Sequence, residues 1–315
     1  MHDRVSAQRI VDAHVHWWDL ERNYYPWLMD RRHTDGESGL SGAESIANTY
    51  LPTHYLADAA GFNVVGVVHV EAAWDPTDPL GETRWLTGIA EQREDQGLLA
   101  AVVGFANLAL DDCERLLEAH AAHTRVRSIR QMLNHIAGNP ALCWASEDFT
   151  VNPDWVRNFA LLRKYGLGFD LMCFANMMHR MADLARLYPD VTIYLEHCGM
   201  PYQHDDAGRQ AWRAGMKALA ANDNVVAKLS GLGTTVRNWT EASIRPYVLE
   251  TIDIFGIDRV MFATNFPTDK LYSSMDTLLG AYLSILSGFS QRERDLIFAD
   301  NAIRHYRLDL DRRSP

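Results

Sequence analysis

The stretch Ile10-Val11-Asp12-Ala13-His14-Val15-His16 constrains this chain most. Its apolar residues read as a buried β-strand. Asp12, His14 and His16 stand at spacing two, so a regular strand directs all three to one face. Polar groups on a buried strand face need partners there. Two imidazoles one pleat apart can grip one metal ion or one polar substrate group. A strand whose histidines simply bond to neighbouring loops has the same pattern, so the decision rests on what ends the later strands.

Short β-rich runs recur along the chain, at 10–16, 64–71, 98–106, 127–133, 167–173, 191–197, 225–230 and 259–264. Amphipathic stretches lie between them, clearest at 83–95, 113–122 and 181–188, with apolar residues at three and four spacing. Eight strands alternating with helices predict an α/β protein with a parallel sheet, and the count predicts a closed (β/α)8 barrel. A doubly wound sheet would want a glycine-rich loop after the first strand, where this chain has aromatic residues. The expected organisation is one domain over 1–315, with helices at 272–288 and 291–305 closing the barrel after the eighth strand.

Two connections are too long for plain turns, 17–50 after strand one and 134–152 after strand four. The first is dense in Trp17, Trp18, Tyr24, Tyr25 and Trp27; the second holds Asn134, His135, Asn139 and Trp144. Both leave the strand ends where barrel enzymes place their sites, so they are expected to shape a pocket, to cap the barrel mouth, or both.

Thirty basic against 41 acidic residues give a net charge of −11, which disfavours nucleic-acid and anionic-membrane binding. The four cysteines form no CxxC pair, so neither a disulfide framework nor a thiolate zinc site is expected. The start MHDRVSAQ has no apolar core of a signal peptide, and no apolar run reaches membrane-spanning length. A cytoplasmic protein acting on a small molecule, with a homo-oligomer as one option, is the expectation.

Strand by strand, the ends carry polar residues: His14 and His16, then His69 and Glu71, then Arg130, Asp170, Glu196 with His197, Lys228 with Ser230, and Asn265 followed by Asp269. A ring of such groups at one end of a barrel is the form of a catalytic site. Taken singly, several have structural readings. His69 and Glu71 can pair with each other or with Lys228. Arg130 can form a buried ion pair with Asp170 or Glu71. Asp12 reads as an orienting residue, and Asp269 as a substitute base or a helix cap. His2, His33, His120, His123 and His305 lie in tails, loops or helices and are assigned no role.

IVDAHVHWWDL, with YYPWL soon after, resembles the start of the amidohydrolase superfamily. SIRQ, LEHCGMP, KLSGL, RVMFATNFP and FADNAIRHYRL resemble later signatures of its branch of metal-dependent-hydrolase-like barrels, which includes sugar lactonases and pyrone dicarboxylate lactonase. The resemblance covers essentially the whole chain. It implies a distorted barrel with a hydrolytic or lyase site at the strand C-termini. His14, His16 and His197 match the metal-ligand positions, and Arg130 a position that holds a substrate carboxylate. The strand-eight position, commonly Asp, is Asn265, and Asp170 stands where a strand-five His would be. A weakly held zinc or other divalent ion, or none, and no organic cofactor are therefore expected.

The resulting expectation is a hydrolase of a small lactone or cyclic ester, carboxylated or polyhydroxylated. His197, Asp170, His69, Glu71 and Asn265 are the candidate catalytic groups, and Arg130, Trp17, Trp18 and Lys228 the candidate substrate contacts. The alternatives are a decarboxylase or hydratase of an aromatic or dienoic acid, and a non-catalytic binding barrel.

Overall fold

The computed structural model describes residues 7–30, 40 and 42–310. Each of the eight β-rich runs forms a strand: β1 Arg9–Val15, β2 Asn63–Val70, β3 Leu99–Phe105, β4 Val126–Arg130, β5 Gly168–Leu171, β6 Ile193–Leu195, β7 Val225–Leu229 and β8 Val260–Phe262. They pair in parallel, in chain order. The amphipathic stretches are helices Gly81–Glu91, Cys113–Ala121 and Ala175–Leu187, each burying its apolar stripe. This is a (β/α)8 barrel. None of the helices among the described residues is long and apolar enough to cross a membrane.

The ring closes beyond β8 rather than within it. Val15 pairs with Phe266, the His16 amide donates to the Phe266 carbonyl at 2.8 Å, and the Asn265 amide donates to the His14 carbonyl at 2.8 Å. Closure through this irregular segment brings Asn265 against His14 of β1 and His16 just beyond it. Asp12 secures the same seam, accepting from the Thr264 amide at 2.9 Å and the Thr264 hydroxyl at 2.6 Å.

Two apolar layers result. The larger lies between sheet and helices and contains Ile10, Val15, Val67, Leu195 and Phe262; the smaller fills the barrel interior with Val11, Ala13, Val68, Val103, Val226 and Met261. The last helical stretch runs through Gln291–Asp295, Leu296–Asp300 and Asn301–His305. It delivers Tyr306 into the inner layer, stacked on Tyr194 with ring centroids 3.9 Å apart. Arg307 donates to the Gly166 carbonyl just before β5, so this segment seals the N-terminal ends of the strands. The opposite end stays open.

Candidate active site

At the C-terminal strand ends lies a cavity of about 270 Å³. Its polar wall is His16, Arg130, His197, Asn265, Thr234 and Thr268, and its apolar wall includes Trp27, Ala72, Met132, Trp144 and Met172. Below the range usual for drug-sized ligands, it suits a molecule of about one sugar ring.

The side chains converge because three strands break their alternation here. In β1 the register shifts between Asp12 and Val15. Val11 and Ala13 pack in the inner layer while Val15 packs in the outer one, so His14 and His16 turn inward and Asp12 turns outward. The expectation that Asp12 shares a face with the histidines is thereby corrected: its carboxylate also accepts from the Tyr55 hydroxyl at 2.8 Å, on the helical side. After β6, Glu196 and His197 are consecutive, and a regular strand would send them to opposite faces. His197 has φ 55° and Cys198 φ 50°. This left-handed turn, costly for side chains other than glycine, brings both groups inward. After β8, Asn265 has φ 61°, a conformation Asn tolerates better than most residues. Gly231 has φ +60°, and a Cβ there would overlap the His197 imidazole, so the glycine after β7 makes room for that ring.

The imidazoles form a chain. His16 Nδ1 lies 2.8 Å from the Val70 carbonyl, which can only accept, so Nδ1 carries the proton and Nε2 a lone pair. His16 Nε2 is 3.1 Å from His14 Nε2 and 3.3 Å from Asn265 Oδ1. His14 Nδ1 lies 3.2 Å from Glu196 Oε1 and 3.3 Å from Lys228 Nζ. His197 Nδ1 lies 2.9 Å from the Ser230 hydroxyl. Burial holds all three imidazoles well below the usual histidine range. Lys228 adds to this at His14, Arg130 at His16, and both at His197. They are neutral at neutral pH, with lone pairs available.

Donor atoms of His14, Glu196 and His197 lie within 4.8 Å of one another, and Glu196 Oε1 is buried 3.2 Å from His14 Nδ1. Neutral imidazoles beside a buried carboxylate suit a divalent cation. Glu196 is the functional residue that sequence reasoning left without a role. Its neighbour His197 drew the assignment.

Arg130 lines the cavity, but its guanidinium is already held. Nε donates to Glu71 Oε1 at 2.6 Å, one terminal nitrogen to Glu196 Oε2 at 3.2 Å, and the other to the Glu71 carbonyl at 2.5 Å. A free carboxylate clamp is not what this geometry offers. Lys228, expected at the substrate, is fully buried, donates to Asp170 Oδ1 at 2.5 Å and does not line the cavity. Asp170, also buried, accepts from the Tyr306 hydroxyl at 2.7 Å, and its role as a base reaching substrate is lost with that placement. Glu71 is fixed by Arg130 and by the Ala73 amide at 2.8 Å. His69 does not bond to Glu71: its Nε2 accepts from the Trp17 amide at 2.9 Å, and burial pushes the imidazole down to about 3. Trp17 and Trp18 are packed in the outer core, while Trp27 and Trp144 take the cavity wall. Asp269 caps no helix. It accepts from Asn265 Nδ2 at 3.1 Å, and burial raises its carboxyl to about 7. His2 and His33 lie outside the described residues.

Known proteins resemble this chain over nearly its whole length. The amidohydrolase profile matches residues 11–308. The chain belongs to the amidohydrolase family. It is a hydrolase-type enzyme of that family. An uncharacterized protein of Sinorhizobium fredii, y4mH, is 42% identical over 305 residues, covering 96% of this chain and 100% of that one. An L-fucono-1,5-lactonase of Burkholderia ambifaria is 27% identical over 312 residues, covering 95% and 96%. A crystal structure of a Burkholderia multivorans amidohydrolase with bound zinc superposes with a TM-score of 0.77 at 26% identity, covering 95% of this chain and 99% of that one.

Proposed function

We propose that this chain hydrolyses a small lactone, or related cyclic ester, that carries no free carboxylate. The observation that carries the reading is the cavity itself: neutral imidazoles, an amide and a hydrogen-bonded guanidinium at its polar end, and an apolar remainder. The lactonase relative supports the ester class. Against the expectation of an anionic substrate stands the charge of the interior. Arg130 and Lys228 face Glu71, Glu196 and Asp170, so the described cluster leaves no cation unpaired. A substrate carboxylate would shed its water against that field. Hydrolysis turns an uncharged lactone into a hydroxy acid, and the same field that admits the ester favours departure of the acid.

His197 takes the proton of the attacking water. It lines the cavity, Ser230 orients its ring, and with Nδ1–H donated to that hydroxyl the Nε2 lone pair is free. Glu196 Oε2, 4.0 Å from Nε2, stabilises the imidazolium. A guanidinium has five N–H donors, and Arg130 uses three on Glu71 and Glu196. A remaining N–H meets the carbonyl oxygen as charge develops on it. Trp27 and Met172 hold the ring; the Trp27 Nε1–H is taken by the Ala72 carbonyl at 2.7 Å, so its indole offers mainly carbon surface.

His14, His16 and the Asn265 oxygen would hold a divalent ion, with Glu196 accepting from His14 Nδ1 behind it. The zinc-bound relative supports a divalent ion in a barrel of this kind. When bound, such an ion would polarise the ester carbonyl and acidify a water.

The test is a matched panel of uncharged and carboxylated lactones, read by acid release with metal content measured on the same preparation. Turnover confined to uncharged lactones is expected. Release of carbon dioxide from aromatic acids instead would replace the hydrolytic reading, and a preference for carboxylated lactones would overturn the charge argument.

A further inference from the structure

We propose that Asp269 is a positioning residue that turns the Asn265 amide oxygen toward His16 and gives this neutral amide the electrostatic character of an anionic metal ligand. The starting point is a mismatch. His16 Nε2 carries a lone pair, since Nδ1–H is committed to the Val70 carbonyl. Facing it are Asn265 Oδ1 at 3.3 Å, also an acceptor, and His14 Nε2 at 3.1 Å, which likewise presents a lone pair when its Nδ1–H is donated to Glu196 Oε1 at 3.2 Å. Two acceptors at this distance in a buried site repel each other unless a proton donor or a cation joins them.

An asparagine could relieve the repulsion by rotating its amide, so that Nδ2 donates to His16. Asp269 prevents this. Its Oδ1 accepts from Asn265 Nδ2 at 3.1 Å, and rotation would set the amide oxygen against the carboxylate. The backbone adds a second tie, with the Asp269 amide donating to the Asn265 carbonyl at 3.0 Å. Asp269 is 1% exposed, and its other oxygen, Oδ2, has no hydrogen-bond partner. No cation among the described residues pairs with it, so its charge is not spent elsewhere. Hydrogen bonding to a carboxylate also polarises the amide, moving electron density toward Oδ1. The unfavourable facing of acceptors is therefore maintained by a buried carboxylate, and a divalent cation between Asn265 Oδ1 and the imidazole lone pairs resolves it.

This inference rests on the ion-binding part of the proposed function and not on the substrate. The experiment is Zn2+ affinity of the full-length apoprotein at pH 8, measured by competition with a chromophoric chelator. The proteins are wild type, Asp269→Asn and the exchange Asn265→Asp/Asp269→Asn. Loss of a group that orients a metal ligand typically costs 10- to 100-fold in affinity, so Asp269→Asn should weaken Zn2+ binding by about that factor. The exchange puts the carboxylate directly at position 265 and should bind at least as tightly as wild type. It also keeps the test open if the single variant does not fold. Unchanged affinity in Asp269→Asn, an exchange variant more than about tenfold weaker than wild type, or a wild type with no Zn2+ binding at micromolar concentrations would each overturn the assignment. Lactone turnover is not the readout: a protein inactive on every lactone refutes the hydrolytic reading and leaves this one standing.

Discussion

Replacing Arg130 by Met should destabilise the protein far more than a change at a pocket wall usually does. Methionine keeps much of the side chain's length and removes only the guanidinium. Glu71 and Glu196, 1% and 0% exposed, then lose the cation they share at 2.6 and 3.2 Å. Removing one partner of a buried pair costs about 3–5 kcal/mol, chiefly for the charge left behind. Two carboxylates are affected, but each keeps other contacts. Glu71 retains the Ala73 amide, and Glu196 retains Lys228 at 3.7 Å. The figure for one pair is therefore the appropriate one. Unfolding entropy of about 2.1 cal/mol/K per residue gives about 0.7 kcal/mol/K for 315 residues, so Tm should fall by about 5–8 °C. Differential scanning calorimetry measures this directly. Glu71→Gln combined with Arg130→Met removes one of the stranded charges and should recover a substantial part of the loss. A fall below about 2 °C for the single variant, or a double variant no more stable than the single, would refute the buried ion cluster.

His197→Gln should lower kcat/KM for the best lactone by at least about 100-fold while Zn2+ affinity stays within a few-fold; retained turnover rules out His197 as the proton acceptor, and parallel loss of Zn2+ makes it a metal ligand instead. Gly231→Ala adds a Cβ at φ +60° that collides with the His197 ring, so it should lose both activity and roughly 1–3 kcal/mol of stability; a fully active, equally stable variant contradicts that packing. Away from the site, His120 bonds to the Phe105 carbonyl at 2.9 Å and the Thr83 hydroxyl at 3.1 Å, and burial lowers it from 6.5 to about 4. Because the unfolded chain binds that proton first, stability is complete above about pH 6.5 and lost as pH falls toward 4, by up to about 3 kcal/mol. Urea midpoints at pH 7 and 4.5 should therefore drop more for wild type than for His120→Gln, and equal drops would contradict this.

The barrel was legible in the sequence because it depends on local signals. Eight β-rich runs and the amphipathic stretches between them need only hydrophobic periodicity to be recognised, and all eight strands appear near their expected bounds. The convergence of His16, Arg130, His197 and Asn265 at one end followed from parallel strand order, since each ends its run at the same pole. Spacing could not show where alternation stops. Asp12 reads as a partner of His14 and His16 until a register shift turns it outward, and Glu196 reads as facing away from His197 until a left-handed turn brings both in. Those irregularities arise where strands meet and the barrel closes, so they depend on contacts between residues distant in the chain. The pairing of Arg130 with Glu71, 59 positions away, is of the same kind. Sequence named the ionisable groups. Which of them neutralise one another, and which face a substrate, was decided only when tertiary packing removed water and fixed their distances, because charge and hydrogen bonding in a buried site depend on separation in space rather than along the chain.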